Sequence, residues 1–180
     1  YNDISQYRDV ESLNYYKILL DQGKTKEQAL KVLAARSRDN SRTPMQWSDD
    51  KNAGFTEGTP WIEAPENYKE INAETELKDP DSIYSFYKKL IALRKEKDII
   101  AEETIEFLEK ENADVLAYRR NYQGEELIVL NNLTAENVTI RQQPEWKVYQ
   151  KRLGNYEKIT AEDGKITLRP FETIVLDSAL

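Results

Sequence analysis

Residues 37–47 are SRDNSRTPMQW, and they open a long stretch in which no regular secondary structure is predicted. Helix-breaking residues recur through residues 37–78, namely Pro44, Gly54, Gly58, Pro60 and Pro65. A loop of this length inside a compact domain is usually functional. Because Trp47 and Trp61 also lie in it, we expect the loop to pack against other parts of the molecule.

Two helices are predicted before this loop. Apolar residues at helical spacing indicate a first helix over residues 7–20, and Gly23 ends it. The stretch Thr25-Lys26-Glu27-Gln28 has the capping-box pattern, so a second helix should begin there.

A third helix is predicted after the loop. Asp81 or Ser82 can cap it, and Lys97-Asp98 closes it. Its apolar stripe consists of Ile83, Tyr87, Leu90, Ile91 and Leu93. A stripe of this kind has to be covered by another element of the fold.

From Ile100 onward the hydrophobic pattern has a period of two, which is typical of strands. Turn signals such as Asp163-Gly164 separate several of the apolar runs. Seven short strands are predicted, over residues 104–108, 115–119, 126–131, 138–141, 147–151, 165–169 and 173–177. This spacing favours an antiparallel β-sandwich, and we place the domain boundary between residues 98 and 99.

Composition narrows the classes of function. The chain has 180 residues and a net charge of −7, and such a surface repels a nucleic-acid backbone. No apolar run is long enough to span a bilayer, so no membrane partner is predicted. The sequence contains neither Cys nor His, which removes the commonest metal ligands and general bases. We therefore expect no metal or cofactor, and a cytoplasmic location fits.

The eleven residues 37–47 are specific enough to indicate a family. They resemble the α-glucosidase branch of the α-amylase superfamily, which includes oligo-1,6-glucosidases, dextran glucosidases and trehalose-6-phosphate hydrolases. Ala53-Gly54-Phe55-Thr56 and Pro60-Trp61 follow in the family's order. The resemblance covers nearly the whole chain, with further matching stretches at residues 7–14, 67–72, 127–132 and 168–172.

The resemblance implies a two-part architecture. The family has a (β/α)8 barrel followed by an antiparallel β domain, and a barrel alone needs about 250 residues. Residues 1–98 would then be the helical, loop-rich end of the barrel, and residues 99–180 the β domain. The chain would be a C-terminal fragment, and its partner would be the N-terminal barrel of the same protein.

The resemblance also implies a reaction, the retaining hydrolysis of α-glucosidic bonds, which uses two carboxyl groups about 5 Å apart. The family's nucleophile Asp, acid/base Glu and transition-state Asp lie on earlier barrel strands. None of their motifs occurs in this chain, so no catalytic residue is predicted here, and we expect the fragment alone to be inactive.

Two residues of the loop are predicted to bind substrate. The family's counterpart of Arg42 faces the sugar pocket, and a guanidinium can donate several hydrogen bonds in a fixed fork. Asp39 could orient Arg42 or bind a sugar hydroxyl itself. The alternative is that Asp39 and Arg42 only hold the loop together. Trp47, Phe55 and Trp61 could stack on sugar rings, but buried anchors are commoner.

The substrate within the branch is a finer question. Residues 7–16, with Ser41 inside the motif, resemble trehalose-6-phosphate hydrolases more than oligo-1,6-glucosidases. We therefore predict trehalose 6-phosphate as the preferred substrate of the full-length enzyme, with an oligo-1,6-glucosidase or dextran glucosidase as the alternative.

A different class of function is a non-catalytic module, either a carbohydrate-binding β module or a structural cap for the barrel. Binding modules usually present exposed aromatic residues on a sheet face. The candidates for such a face are Tyr118, Tyr122, Trp146, Tyr149 and Tyr156.

Overall fold

A computed structural model describes residues 1–102 and 104–178 of the chain. The described residues form two compact units, of which the first is Tyr1–Tyr84 and the second begins at Ser85. Glu103 and residues 179 and 180, which the predicted β domain includes, lie outside the described residues.

The first unit is built around the two predicted helices, α1 (Val10–Asp21) and α2 (Lys26–Arg36). The capping box at the start of α2 is confirmed: the Gln28 N–H donates to Thr25 Oγ1 at 3.2 Å, and the Thr25 N–H donates to Gln28 Oε1 at 3.1 Å. The helices share a small apolar core made of Tyr7, Tyr16, Leu19, Ala29 and Leu33.

The long loop that follows is mostly irregular, but it contains a helix that the sequence analysis missed. This helix, α3 (Ala73–Lys78), begins after Asn72, whose side chain accepts a hydrogen bond from the Thr75 N–H. The N–H groups of Ala73 and Glu74 donate to the carbonyls of Gln46 and Trp47, at 2.8 and 3.0 Å. Hydrogen bonds to the preceding loop thus satisfy N–H groups in the first turn of α3. The helix is too short to show hydrophobic periodicity.

The second unit contains the remaining helices and all the described strands. The helices are α4 (Ile83–Glu96), whose first two residues belong to the first unit, and α5 (Ile99–Glu102). The strands are β1 (Glu106–Leu108), β2 (Val115–Tyr122), β3 (Glu125–Asn132), β4 (Val138–Arg141), β5 (Gln150–Gly154), β6 (Thr160–Glu162), β7 (Lys165–Leu168) and β8 (Thr173–Asp177). One sheet has the order β1-β2-β3-β8-β5 and the other β4-β7-β6, with antiparallel pairs throughout.

The two sheets pack face to face around one core. The larger sheet contributes alternate residues of β2, β3 and β8, such as Ala117, Ile128 and Ile174. The smaller sheet contributes Ile140 and Ile166. The prediction of a helical, loop-rich part followed by an antiparallel β-sandwich is therefore confirmed.

The helices α4 and α5 cover the outer face of the larger sheet. Leu93 and Ile99 form a second buried cluster with Leu127, Leu153 and Val175, and Phe86 and Leu90 pack against it. The predicted stripe is correct only in part, since Leu90 and Leu93 contact the sheet. Its other members, Ile83, Tyr87 and Ile91, are more than half exposed.

Two strand predictions need correction. Residues expected to begin a strand at 147 belong to a short 3-10 helix, Pro144–Val148, and β5 starts only at Gln150. Pro144 starts that turn, and Trp146 is buried in the sandwich core. The strand β6 was missed because it has three exposed residues and thus no alternation. Among the described helices, none is long and apolar enough to cross a membrane.

Candidate functional site

The start of the motif at residues 37–47 is a short turn held by its own side chains. Ser37 caps the 3-10 helix Arg38–Ser41, with its Oγ accepting the Asp39 N–H at 3.2 Å. The Arg42 N–H donates to the Asp39 carbonyl at 3.0 Å and closes the turn. The backbone of Arg42 is thereby fixed next to Asp39.

Asp39 connects this turn to the segment before α1. It is completely buried, and its Oδ2 accepts the backbone N–H groups of Arg8 at 2.7 Å and Asp9 at 3.0 Å. Within the described residues, Asp39 Oδ1 and the nearby Tyr7 hydroxyl are buried without a hydrogen-bond partner. Burial, followed by the charge of Asp39, raises the pKa of Tyr7.

Asp9 forms the second part of the same buried cluster. It caps α1, and its Oδ2 accepts hydrogen bonds from the Ser12 hydroxyl at 2.7 Å and the Ser12 N–H at 3.2 Å. The Ser12 hydroxyl also lies 2.9 Å from the hydroxyl of Ser37. The hydrogen bond from the Ser12 side chain, with smaller contributions from its N–H and from Arg38 and Arg42, lowers the pKa of Asp9.

Arg42 stands at the outer edge of this cluster. Its Nη1 lies 3.9 Å from Asp9 Oδ1, and 41% of its side chain is exposed. Arg38 points elsewhere and forms an exposed ion pair with Glu11. The structure therefore brings Asp39 and Arg42 together through Asp9, and the guanidinium of Arg42 is available to a ligand.

A polar cavity of about 470 Å³ lies beside the same turn. Asn40 and Thr43, which flank the Arg42 region of the motif, contribute to its wall. The other lining residues are mostly amides and carboxylates: Tyr1, Asn2, Gln6, Gln46, Glu63, Ala64, Pro65 and Glu66. Such groups can hydrogen-bond hydroxyls, which suits a sugar ring. In the part of the chain that the structure describes, no group of three or more His, Cys, Asp or Glu could hold a metal ion.

The aromatic residues of the loop are not buried anchors within this chain. Half or more of the surface of each of Trp47, Phe55 and Trp61 is exposed. The loop is instead held by backbone contacts, since the Ala53 carbonyl accepts the N–H groups of Trp47 and Ser48 at 2.9 and 3.2 Å. Ala53 adopts a φ of 59°, a left-handed conformation that is strained for a residue with a side chain.

Comparison with known protein families gives two matches. Residues 7–103 match the family described as "Alpha amylase, catalytic domain", and residues 115–175 match "Alpha-amylase SusG C-terminal domain". The chain belongs to the α-amylase family. The helical, loop-rich part is accordingly the end of that family's barrel, and the sandwich is the β domain that follows it.

Individual members of the family are similar to this chain in sequence and structure. A trehalose-6-phosphate hydrolase of Bacillus subtilis (strain 168) is 44% identical over 97% of this chain, and an oligo-1,6-glucosidase of Parageobacillus thermoglucosidasius is 41% identical over 96%. The crystal structure of Bacillus licheniformis trehalose-6-phosphate hydrolase superposes on 98% of the chain with a TM-score of 0.90 and 44% identity. The chain spans 32%, 31% and 33% of those three proteins, about a third of their length.

Sequence analysis found the motif but gave no role to Asp9, Ser12 or Ser37. Asp9 and Ser12 have the spacing of a helix N-cap, which would have predicted their hydrogen bond. Their contact with residues 37–42 depends on the packing of α1 beside the turn, which no local pattern reveals.

Proposed function

We propose that this chain is the C-terminal part of a retaining α-glucosidase and that residues 37–47 form part of its sugar pocket wall. The observation that carries the proposal is the match of residues 7–103 to the α-amylase catalytic-domain family, together with relatives named trehalose-6-phosphate hydrolase and oligo-1,6-glucosidase. The chain itself contributes binding and packing surfaces, and the catalytic carboxyl groups belong to the preceding barrel strands.

Arg42 is the proposed substrate contact. Its exposed guanidinium can donate two parallel hydrogen bonds to sugar hydroxyls, while its backbone is fixed by the turn at Asp39. The burial of Asp39 and its hydrogen bonds from the N–H groups of Arg8 and Asp9 support the alternative in which Asp39 holds the loop in place. Binding of a sugar hydroxyl would require its buried Oδ1 to become accessible.

The test is Arg42→Ala in the full-length protein that contains this chain. Losing a charged hydrogen bond to substrate should cost about 1.5–3 kcal/mol, which is about a 10- to 150-fold lower kcat/KM. The exposed neighbour Arg38→Ala is the matched control and should retain normal kinetics. Unchanged kinetics for Arg42→Ala, with or without a lower melting temperature, would leave Arg42 with a purely structural role.

For the substrate, we propose trehalose 6-phosphate, with isomaltose-type oligosaccharides as the alternative. Support comes from residues 7–16 and from relatives named trehalose-6-phosphate hydrolase at 44% and 42% identity. Relatives named oligo-1,6-glucosidase follow at 41% and 40%. The ratio of kcat/KM for trehalose 6-phosphate and isomaltose decides the matter, and a clear preference for isomaltose would reject the proposal while keeping the α-glucosidase class.

The non-catalytic alternative, a carbohydrate-binding β module, has less support. None of its five candidate aromatic residues is exposed: Trp146 is buried and the four tyrosines are half-buried. Tyr149 donates to Glu126 at 2.8 Å, and Arg169 covers the ring of Tyr156 at 4.0 Å. Calorimetric titration of this chain with oligosaccharides should give no heat of binding. Binding by this chain that survives Arg42→Ala would favour a module.

The proposed partner of this chain is the preceding barrel of the same protein. An exposed apolar stripe on α4 consists of Ile83, Tyr87 and Ile91, and this helix lies within the catalytic-domain match.

We also propose that the domain boundary lies between residues 98 and 99. The compact units meet at Tyr84 and Ser85, and the two family matches end at 103 and resume at 115. A cytoplasmic location stays a prediction from the absence of Cys.

A further inference from the structure

Asp9 links the buried cluster to the proposed substrate contact, and it does so with its own carboxylate. We propose that Asp9 is a positioning residue for Arg42, whose guanidinium it holds in the orientation that meets the sugar. This inference rests on the proposed contact between Arg42 and substrate.

The carboxylate of Asp9 is itself rigidly held. Its backbone N–H donates to Asp39 Oδ2 at 3.0 Å, and its Oδ2 accepts two hydrogen bonds from Ser12. Only 7% of the residue is exposed. A group that is fixed at both backbone and side chain loses little entropy when it orients a neighbour, so it is well suited to positioning.

The remaining oxygen of Asp9 faces Arg42. The separation of 3.9 Å between Asp9 Oδ1 and Arg42 Nη1 is within ion-pair range but too long for a hydrogen bond. The attraction therefore restricts the long and flexible Arg42 side chain without occupying its N–H donors. Those donors remain free to bind hydroxyl oxygens on the exposed side of the guanidinium.

The surroundings of Asp9 stabilise its negative charge. Its hydrogen bonds from Ser12, and then the nearby charges of Arg38 and Arg42, lower the pKa of Asp9. The carboxylate is thus ionised at neutral pH. By contrast, Glu11 lies two residues further on α1 and pairs with Arg38 in solvent, so it has no means of orienting Arg42.

The test uses Asp9→Asn in the full-length protein. Asn is as good an N-cap as Asp, and its amide oxygen can still accept the hydrogen bonds from Ser12, so α1 should remain intact. Only the charge facing Arg42 is lost. Because small displacements of a substrate-contacting group cost up to about 100-fold, we expect about a tenfold lower kcat/KM on p-nitrophenyl α-glucoside, with at most a small decrease in the melting temperature. Glu11→Gln is the matched control and should leave both quantities unchanged.

A double-mutant cycle shows whether Asp9 acts through Arg42. In an Arg42→Ala background, Asp9→Asn should lower kcat/KM by less than about twofold, because there is no guanidinium left to position. An equal loss in both backgrounds would overturn the inference. Normal kinetics for Asp9→Asn, while Arg42→Ala is impaired, would also overturn it and would leave the proposed function standing.

A different result would contradict the proposed function itself. If Arg42→Ala itself has normal kinetics, the contact between Arg42 and substrate is wrong, and the positioning role is wrong with it. Should Asp9→Asn fold poorly, Asp9→Ser provides a second capping residue without a carboxylate. The Ser variant should then show the tenfold loss expected of Asp9→Asn, and normal kinetics for the Ser variant would reject the positioning role.

Discussion

Lys97 follows α4 and places its ammonium group between two carboxylates of the larger sheet. Its Nζ lies 2.9 Å from Asp177 Oδ2 and also forms an ion pair with Glu125. Only 14% of the Lys97 side chain and 1% of the Asp177 side chain are exposed. Lys97→Met should therefore destabilise the second unit, because it removes the cation and leaves a buried negative charge.

The size of the loss depends on what remains around Asp177. Removing one partner of a buried pair costs about 3–5 kcal/mol. Arg152 Nε stays 3.4 Å from the same Asp177 oxygen and offsets part of that loss, so we expect about 2–4 kcal/mol. The matched control is Glu106→Gln in the same unit, whose partner Arg119 lies 2.7 Å away, with side-chain exposures of 55% for Glu106 and 31% for Arg119. Loss of that pair should cost less than about 0.5 kcal/mol.

The assay is urea unfolding of this chain, monitored by the fluorescence of Trp146 in a Trp47→Phe/Trp61→Phe background. Trp146 is the buried tryptophan and belongs to the sandwich core, so its signal reports on the second unit. A loss for Lys97→Met no larger than that for Glu106→Gln would refute the reasoning. Adding Asp177→Asn to Lys97→Met should recover part of the lost stability, because no buried charge is then left.

The pH dependence gives an independent check. The hydrogen bond with Glu125, together with the contact with Asp177, raises the pKa of Lys97 against the opposing effect of burial. A raised folded-state pKa stabilises the fold fully below the ordinary lysine value of about 10.4 and ceases to do so as pH rises through the raised value. The stability difference between the wild type and Lys97→Met should hold at neutral pH and narrow only in strong alkali.

Three further outcomes are expected. Burial and the Glu126 carboxylate raise the pKa of Tyr149 to about 12, so a spectrophotometric titration compared with Tyr149→Phe should show a phenol ionising there, and ionisation near 10 would contradict it. Gly154→Ala should cost about 1–3 kcal/mol in urea unfolding because its Cβ would lie 2.9 Å from the Thr173 carbonyl oxygen, whereas Gly58→Ala, with its nearest atom at 3.7 Å, should cost little. This chain alone should hydrolyse p-nitrophenyl α-glucoside only at the background rate, and turnover abolished by mutating one of its residues would refute this.

Local patterns predicted the elements whose stabilising contacts are local. The capping box at Thr25 and the period-two run at the start of β2 were found because the first is a local cap and the second has one clear apolar face. The helix α3 was missed because the carbonyls that complete its first turn, those of Gln46 and Trp47, are distant in sequence. The strand β6 was missed because its three residues are all exposed and show no alternation.

The same distinction applies to the candidate site. Residues 37–47 indicated Arg42 and Asp39 because the resemblance is specific, and the turn that joins them is local. The contact of Asp39 with the N–H groups of Arg8 and Asp9 spans about thirty residues and has no signature in sequence. The proposed role of Asp9 therefore depends on the packing of α1 beside the turn, which the sequence does not predict.

Membership of the α-amylase family does not determine the substrate. Ser41, the residue that favoured trehalose 6-phosphate, donates its hydroxyl to the Arg38 carbonyl at 3.0 Å and so helps to close the turn. The described side chains that line the polar cavity include Glu63 and Glu66 but no Lys or Arg, and carboxylates repel a phosphate dianion. If the full-length protein prefers the phosphorylated disaccharide, the selecting Arg or Lys groups must lie outside this cavity. Added salt should then weaken kcat/KM for trehalose 6-phosphate but not for trehalose, because screening acts only on the phosphate contact.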